Sequence, residues 1–228
     1  MCHSKKIVFL STAYLPATGG LVSYLAGFSE YLVGTGHKVD IFCTDAKNPD
    51  LGREETIEGV NVHRSHVFNI PIWKKPITPF MAIRNITHQI QANISYFEDA
   101  DIIIVRHVYY AAALNNFPSL AKKAMFIWPL LSWRLEMINA RTAKLAKKIY
   151  GTLISLQMRY IERRVHSRTK NQAVLSIAKK KEFLDVYGTK AQELLVVNPG
   201  VSLRRFRPAK NGERKHILTS IGRQDDER

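Results

Sequence analysis

Ile7-Val8-Phe9-Leu10, then Thr18-Gly19-Gly20, then an amphipathic stretch ending at Gly34-Thr35-Gly36-His37, then Val39-Asp40-Ile41-Phe42: these forty residues decide the fold. Leu21, Val22, Leu25, Phe28 and Leu32 recur at helical spacing between two runs that have the length and β-branched content of buried parallel strands. Strand, glycine loop, helix and strand make half of a doubly wound sheet. Paired glycines before a helix have two readings. One is a tight strand-to-helix turn. The other is an anion seat, because residues without Cβ let a ligand reach the backbone where a helix N-terminus presents free N–H groups and partial positive charge.

The same alternation continues downstream. Strands are expected at Val60–His63, Asp101–Val105, Ala124–Ile127, Ala173–Ile177 and Leu194–Val197, and helices over Pro79–Tyr96, most of Trp133–Arg168, and Lys179–Tyr187, the last closed by Gly188. This pattern predicts an α/β protein, a Rossmann-like, doubly wound and mostly parallel sheet with helices on both faces. The loop from Phe68 to Pro79, with Pro71 and Pro76, is an irregular insertion. After Pro208 the chain turns polar, and His216–Ile221 then forms one more expected strand, which cannot bury its own faces. The expected organisation is therefore a domain over 1–208, with 209–228 as a linker and the first strand of a further domain.

At 228 residues and 46% hydrophobic content the chain can bury a sizeable core. No stretch reaches the roughly twenty apolar residues of a membrane span, and Met1–Lys6 runs straight into the first strand, so no signal peptide is expected. Two cysteines, Cys2 and Cys43, are too few for a disulfide framework or a zinc cluster, which makes a reducing cytoplasm the default and leaves the sequons at Asn85 and Asn93 as chance matches. The net charge of +15 favours anionic partners. It concentrates between Arg134 and Lys170, where ten basic residues face two acidic ones, Glu136 and Glu162. A solvated helix face is the first reading of that segment. Attachment to an anionic membrane surface is the second, since Leu135, Ile138, Leu145, Ile149, Leu153, Ile154 and Leu156 add apolar area. Nucleic acid is the third and is disfavoured, because no recognised module accompanies the charge.

Several fragments in fixed order carry a family resemblance: Tyr14-Leu15-Pro16-Ala17-Thr18-Gly19-Gly20, Gly36-His37-Lys38-Val39, Asp101–His107, Glu162-Arg163-Arg164 before Ala173–Ser176, Val196-Val197-Asn198-Pro199-Gly200-Val201, Arg205-Phe206-Arg207-Pro208 and Ile221-Gly222-Arg223. Together they resemble the N-terminal, acceptor-side half of the retaining glycosyltransferases of family 4, which have the two-domain GT-B architecture. The resemblance implies that Gly19, Gly20 and His107 line the acceptor and phosphate side of a cleft. It places Asn198, Gly200, Val201, Gly222 and Arg223 at the donor side or hinge, with Arg223 facing the donor diphosphate. His107, taken alone, is equally readable as a polar residue at a strand end. A nucleotide-sugar is the implied donor for a complete enzyme, with no metal and no cofactor held by this chain alone, and a donor-domain polypeptide is the implied partner. The implied site is cytoplasmic, with peripheral attachment to the inner face of a membrane. The chain departs from the family pattern at Trp128-Pro129-Leu130, where a histidine is usual, and at Pro199 and Ser202.

Overall fold

The computed structural model of the chain describes residues 3–45, 48, 50–65, 77–141, 145–188 and 193–200. Among them the strands are β1 (Lys6–Leu10), β2 (Lys38–Thr44), β3 (Glu54–Ile57), β4 (Val60–Ser65), β5 (Ile102–Val105), β6 (Ala124–Trp128), β7 (Asn171–Val174) and β8 (Leu195–Val196). They form one sheet in the order β3-β4-β2-β1-β5-β6-β7-β8. All neighbours are parallel except β3 with β4. The expected mostly parallel, doubly wound α/β sheet is thus present.

The helices are α1 (Gly20–Gly34), α2 (Thr78–Ala92), α3 (Ile94–Glu98), α4 (Val108–Leu114), α5 (Pro118–Lys123), α6 (Ser132–Arg141), α7 (Leu145–Arg168) and α8 (Ile177–Tyr187). Successive β1 residues point to opposite faces, as a strand requires. Val8 and Leu10 join the larger core, which draws in Ile90 of α2, Leu114 of α4, Met158 and Ile161 of α7 and Phe183 of α8. Ile7 and Phe9 join a second core with Leu25 and Leu32 of α1. Burial on both faces explains why these strands are continuous apolar runs.

Four boundaries differ from the sequence expectation, each for a local reason. The expected helix over 79–96 breaks at Asn93, whose side chain donates back to the Gln89 carbonyl (2.9 Å). The expected helix over 133–168 is the pair α6 and α7, which approach so closely that a Cβ on Gly151 would lie 2.8 Å from the Ala140 Cβ. The expected strand over 173–177 runs instead from Asn171 to Val174, because the Ser176 hydroxyl accepts from the Lys179 N–H (3.2 Å) and starts α8. The strand at 194–197 is reduced to Leu195–Val196. Gly188 does close α8, with a φ of 71°. The Pro-rich loop, except its last residues, and everything after Gly200 lie outside the described residues.

Candidate functional site

The order of the strands locates the site. From β1 the chain winds outward through β2 and β4, and from β5 it winds the other way through β6, β7 and β8, so the topological switch lies between β1 and β5. Ligands of open α/β sheets occupy the crevice beyond the carboxyl ends at such a switch. Leu10 and Val105, the last residues of the two strands, are register partners, and the Arg106 N–H continues the ladder to the Leu10 carbonyl (2.9 Å). The loop carrying Gly19 and Gly20 leaves the first strand there, and Arg106 and His107 leave the second.

Gly19 has a φ of 143° and begins α1 without any side-chain cap. That dihedral is reserved for glycine. A Cβ placed on either Gly19 or Gly20 would meet nothing within 4 Å, so the space above the helix N-terminus is open. For Gly20, crowding within the chain therefore gives no reason for glycine, whereas close approach of a ligand does.

The loop itself is held. The buried Arg64 guanidinium donates to the carbonyls of Leu15 and Gly52 (3.1 Å to Gly52) and pairs with Glu55. The Thr44 hydroxyl donates to the Thr12 carbonyl (2.6 Å), and the Tyr14 hydroxyl contacts Ser29 of α1 (3.1 Å). β4, β2 and α1 thus each anchor the segment that delivers the glycines.

His107 caps α4: its Nδ1 accepts from the Tyr109 N–H (3.3 Å), and its ring stands edge-on to Tyr109 at 4.7 Å. Burial lowers its pKa to about 4. The imidazole is neutral at physiological pH, and with Nδ1 accepting, the proton sits on Nε2, which leaves one donor and no charge.

Arg106 was not singled out in the sequence, and its position is the most informative addition. It is only 2% exposed, yet Nε and Nη1 have no hydrogen-bond partner among the described residues, and its guanidinium lies over the face of Tyr24, 4.7 Å from the ring centroid. Burial lowers its pKa. A charged residue directly after the buried Ile103–Val105 run was the available signal, masked by the more familiar histidine beside it.

The remaining residues lie elsewhere. Asn198 and Gly200 follow β8 at the sheet edge, four strand spacings or about 19 Å across the sheet from β1. Val201, Gly222 and Arg223 lie outside the described residues. Trp128, at the end of β6, is buried and donates to Gln172 Oε1 (2.9 Å), so it belongs to the core. A cavity of about 90 Å³ under α2, lined by Phe42, His63, Ile90 and Tyr110 among others, is too small for a sugar nucleotide. His63 lies at its wall between Asp40 (3.3 Å) and Glu54 (2.9 Å), stacked on Phe42 at 4.4 Å. No group of His, Cys, Asp and Glu among the described residues is arranged to hold a metal ion.

The doubly wound, mostly parallel sheet is the fold found in solved GT-B glycosyltransferases. The sequence model described as Glycosyltransferase Family 4 matches residues 18–205, and the chain belongs to that family. The catalytic domain of starch synthase IV from Arabidopsis thaliana, bound to ADP and acarbose, is similar with a TM-score of 0.56 and 14% identity, over 92% of this chain and 54% of that one. A UDP-glucose: anthocyanidin 3-O-glucosyltransferase in complex with UDP is similar with a TM-score of 0.51 and 15% identity, over 93% and 56%. The chain spans about half the length of these structures. No curated protein matches its sequence.

Proposed function

We propose that this chain supplies the acceptor-side half of a sugar-transfer site, in which a hexosyl group passes from a nucleoside diphosphate sugar to a hydroxyl of a glycan or lipid-linked acceptor with retention of configuration. The observation that carries the reading is the open glycine-headed crevice at the switch point, in a chain whose family match spans 18–205. The described residues build one wall of a cleft, and the donor's nucleotide is held by the other, from a separate polypeptide or a continuation of the chain. On this reading the half alone does not turn over, because most stabilisation of the departing diphosphate comes from the donor side. The test mixes the purified chain with a donor-domain polypeptide and nucleotide-sugars. Transfer only in the mixture supports the reading, and transfer by the chain alone overturns it.

A second component of the proposal concerns where the chain works. Leu145, Ile149, Leu153, Leu156 and Tyr160 recur every three or four residues along α7 and form one exposed apolar stripe, with Leu145 74% and Ile149 63% exposed. Leu135 and Ile138 of α6 are exposed as well, and Arg134, Arg141, Lys148, Arg159, Arg163, Arg164 and Arg168 lie along the same two helices. Glu136 is their one surface acid, since Glu162 is buried. Apolar residues beside cations suit the interface of an anionic leaflet, whereas self-association through this face brings like charges together. No helix among the described residues is long and apolar enough to cross a membrane, so the attachment proposed is peripheral. The same surface also supports the alternative of a non-catalytic protein that binds membrane or a partner through its basic face.

A further inference from the structure

We propose that His63 works as a proton-operated latch: in its charged form it holds the edge strand β3 on the sheet, and β3 in turn holds Arg64, which anchors the loop that delivers Gly19 and Gly20. The inference rests on the transfer reading only for what that loop does.

β3 has four residues and a single neighbour, β4, to which it runs antiparallel. Short edges with few buried contacts open first in a native protein, so side-chain contacts decide how firmly this one is held. Those contacts alternate between the two faces. On one face Glu54 and Thr56 are the two ends of a circuit that crosses three strands. The Thr56 hydroxyl donates to Asn61 Oδ1 (3.3 Å), and Asn61 Nδ2 donates to Asp40 Oδ1 (3.1 Å). His63 Nε2 meets the same Asp40 oxygen (3.3 Å), and Nδ1 returns to Glu54 Oε2 on β3 (2.9 Å). On the other face Glu55 pairs with Arg64, whose guanidinium also donates to the carbonyls of Gly52 and of Leu15, the latter in the glycine loop. The Arg64 N–H reaches the Arg53 carbonyl (2.7 Å). Arg64 is thus tied to residues 52, 53 and 55, on either side of Glu54.

The circuit needs a charged ring. Both nitrogens of His63 face carboxylate oxygens, which accept and do not donate, so both must carry hydrogen. Burial opposes the charge, but the hydrogen bonds to Asp40 and Glu54 outweigh it and raise the pKa of His63. A neutral ring keeps one N–H and turns a lone pair on the other carboxylate. Asp40 is the partner that is kept. Its side chain is 6% exposed, and although burial disfavours its charge, the hydrogen bonds from His63 and Asn61 lower its pKa. Glu54 is 70% exposed and can turn to water instead. Loss of the proton therefore frees β3 and not β2. The other groups around the ring leave that choice intact. Lys6 of β1 adds positive charge on the Asp40 side. Phe42 of β2 and Tyr96 of α3 present rings at 4.4 and 5.0 Å. In the cavity that His63 lines, Gln89 and Asn93 of α2 are uncharged, burial keeps Cys43 and Tyr110 protonated, and Arg64 is paired with Glu55. With its folded pKa raised above 6.5, the latch is closed below about that pH and opens as pH rises through the folded value.

The test follows backbone hydrogen–deuterium exchange of the full chain at pH 5, 6, 7 and 8, corrected for the intrinsic rate and read separately over residues 54–57 and 12–20. Protection of both segments is expected to fall roughly two- to fivefold as pH rises through the His63 midpoint, the effect of a partly exposed ion pair. Glu54→Gln changes an exposed side chain, and its amide accepts from a protonated Nδ1 or donates to a bare one, so it is expected to keep the fold and flatten both profiles. His63→Gln is expected to flatten them as well, and Glu54→Gln carries the test by itself should that variant not fold. Wild-type protection that does not change with pH overturns the proposal, as does a pH dependence that survives Glu54→Gln with the same midpoint. Loss of protection over 54–57 with 12–20 unaffected also overturns it, because the latch would then not reach the loop. The readout involves no sugar: failure of transfer in the two-polypeptide mixture leaves the latch standing, and pH-independent exchange removes the latch without touching the transfer reading.

Discussion

Replacing Glu162 with glutamine separates a buried charge from the hydrogen bonds around it. Glu162 is fully buried on α7, and its Oε1 accepts from the Ser132 N–H (2.7 Å) and the Trp133 N–H (3.3 Å), so it caps α6 from the neighbouring helix. Burial raises its pKa from 4.5 to about 7, against the lowering effect of those two N–H groups. Because the folded state holds the proton more tightly, stability falls as pH rises from about 4.5 through about 7. At roughly 1.4 kcal/mol per pH unit the full loss is about 3 kcal/mol. Glutamine keeps an acceptor oxygen for the α6 N-terminus and carries no charge. Glu162→Gln is therefore expected to be near neutral at pH 5 and more stable than the wild type at pH 8 by about 3 kcal/mol, as an order of magnitude. Urea unfolding of both proteins at pH 5, 6, 7 and 8 measures the difference, in which the other titrating groups cancel. A difference that stays constant with pH, or that shrinks as pH rises, would refute the reasoning.

Three further outcomes are expected. His63, held between Asp40 and Glu54, has its pKa raised because those hydrogen bonds outweigh the opposing effect of burial. Its ionic contribution is full below about 6.5 and is lost as pH rises through the folded value, so a ring-proton NMR titration should find its midpoint above the free-imidazole value and lowered in Glu54→Gln. Gly151→Ala forces α6 away from α7, because the new methyl meets the Ala140 Cβ at 2.8 Å, and is expected to lower the unfolding free energy by about 1–3 kcal/mol in a denaturant titration. Cosedimentation with vesicles containing anionic lipid should fall on raising the salt concentration and in Ile149→Glu with Leu153→Glu, while retention of the double variant on such vesicles counts against the α7 stripe.

The parallel strands and α1 were legible because burial on both faces writes an unbroken apolar run, and because the α1 stripe has a clean helical period. β3 was not expected. As an edge strand its Glu54-Glu55-Thr56-Ile57 has no apolar run, and its hairpin turns through Glu58 and Gly59, at φ of 50° and 81°, instead of the usual Asn-Gly pair. α4 and α5 are single short helices of seven and six residues, below the length at which period can be counted. At the site, glycine identity and its place after a strand made Gly19 and Gly20 visible. Arg106 and Glu162 were not, because a charged letter reads as surface until the structure shows that it is buried. Glu162, counted in the sequence among the charges of a solvated segment, is instead an internal cap.

The most direct measurement joins this chain to the donor domain of a family 4 enzyme and follows release of nucleoside diphosphate from nucleotide-sugars, for the wild type and for Gly20→Val. The account predicts release by the wild-type chimera and its loss in the variant, whose new side chain occupies the space above α1 and leaves the donor domain untouched. Equal release by the two chimeras would contradict it.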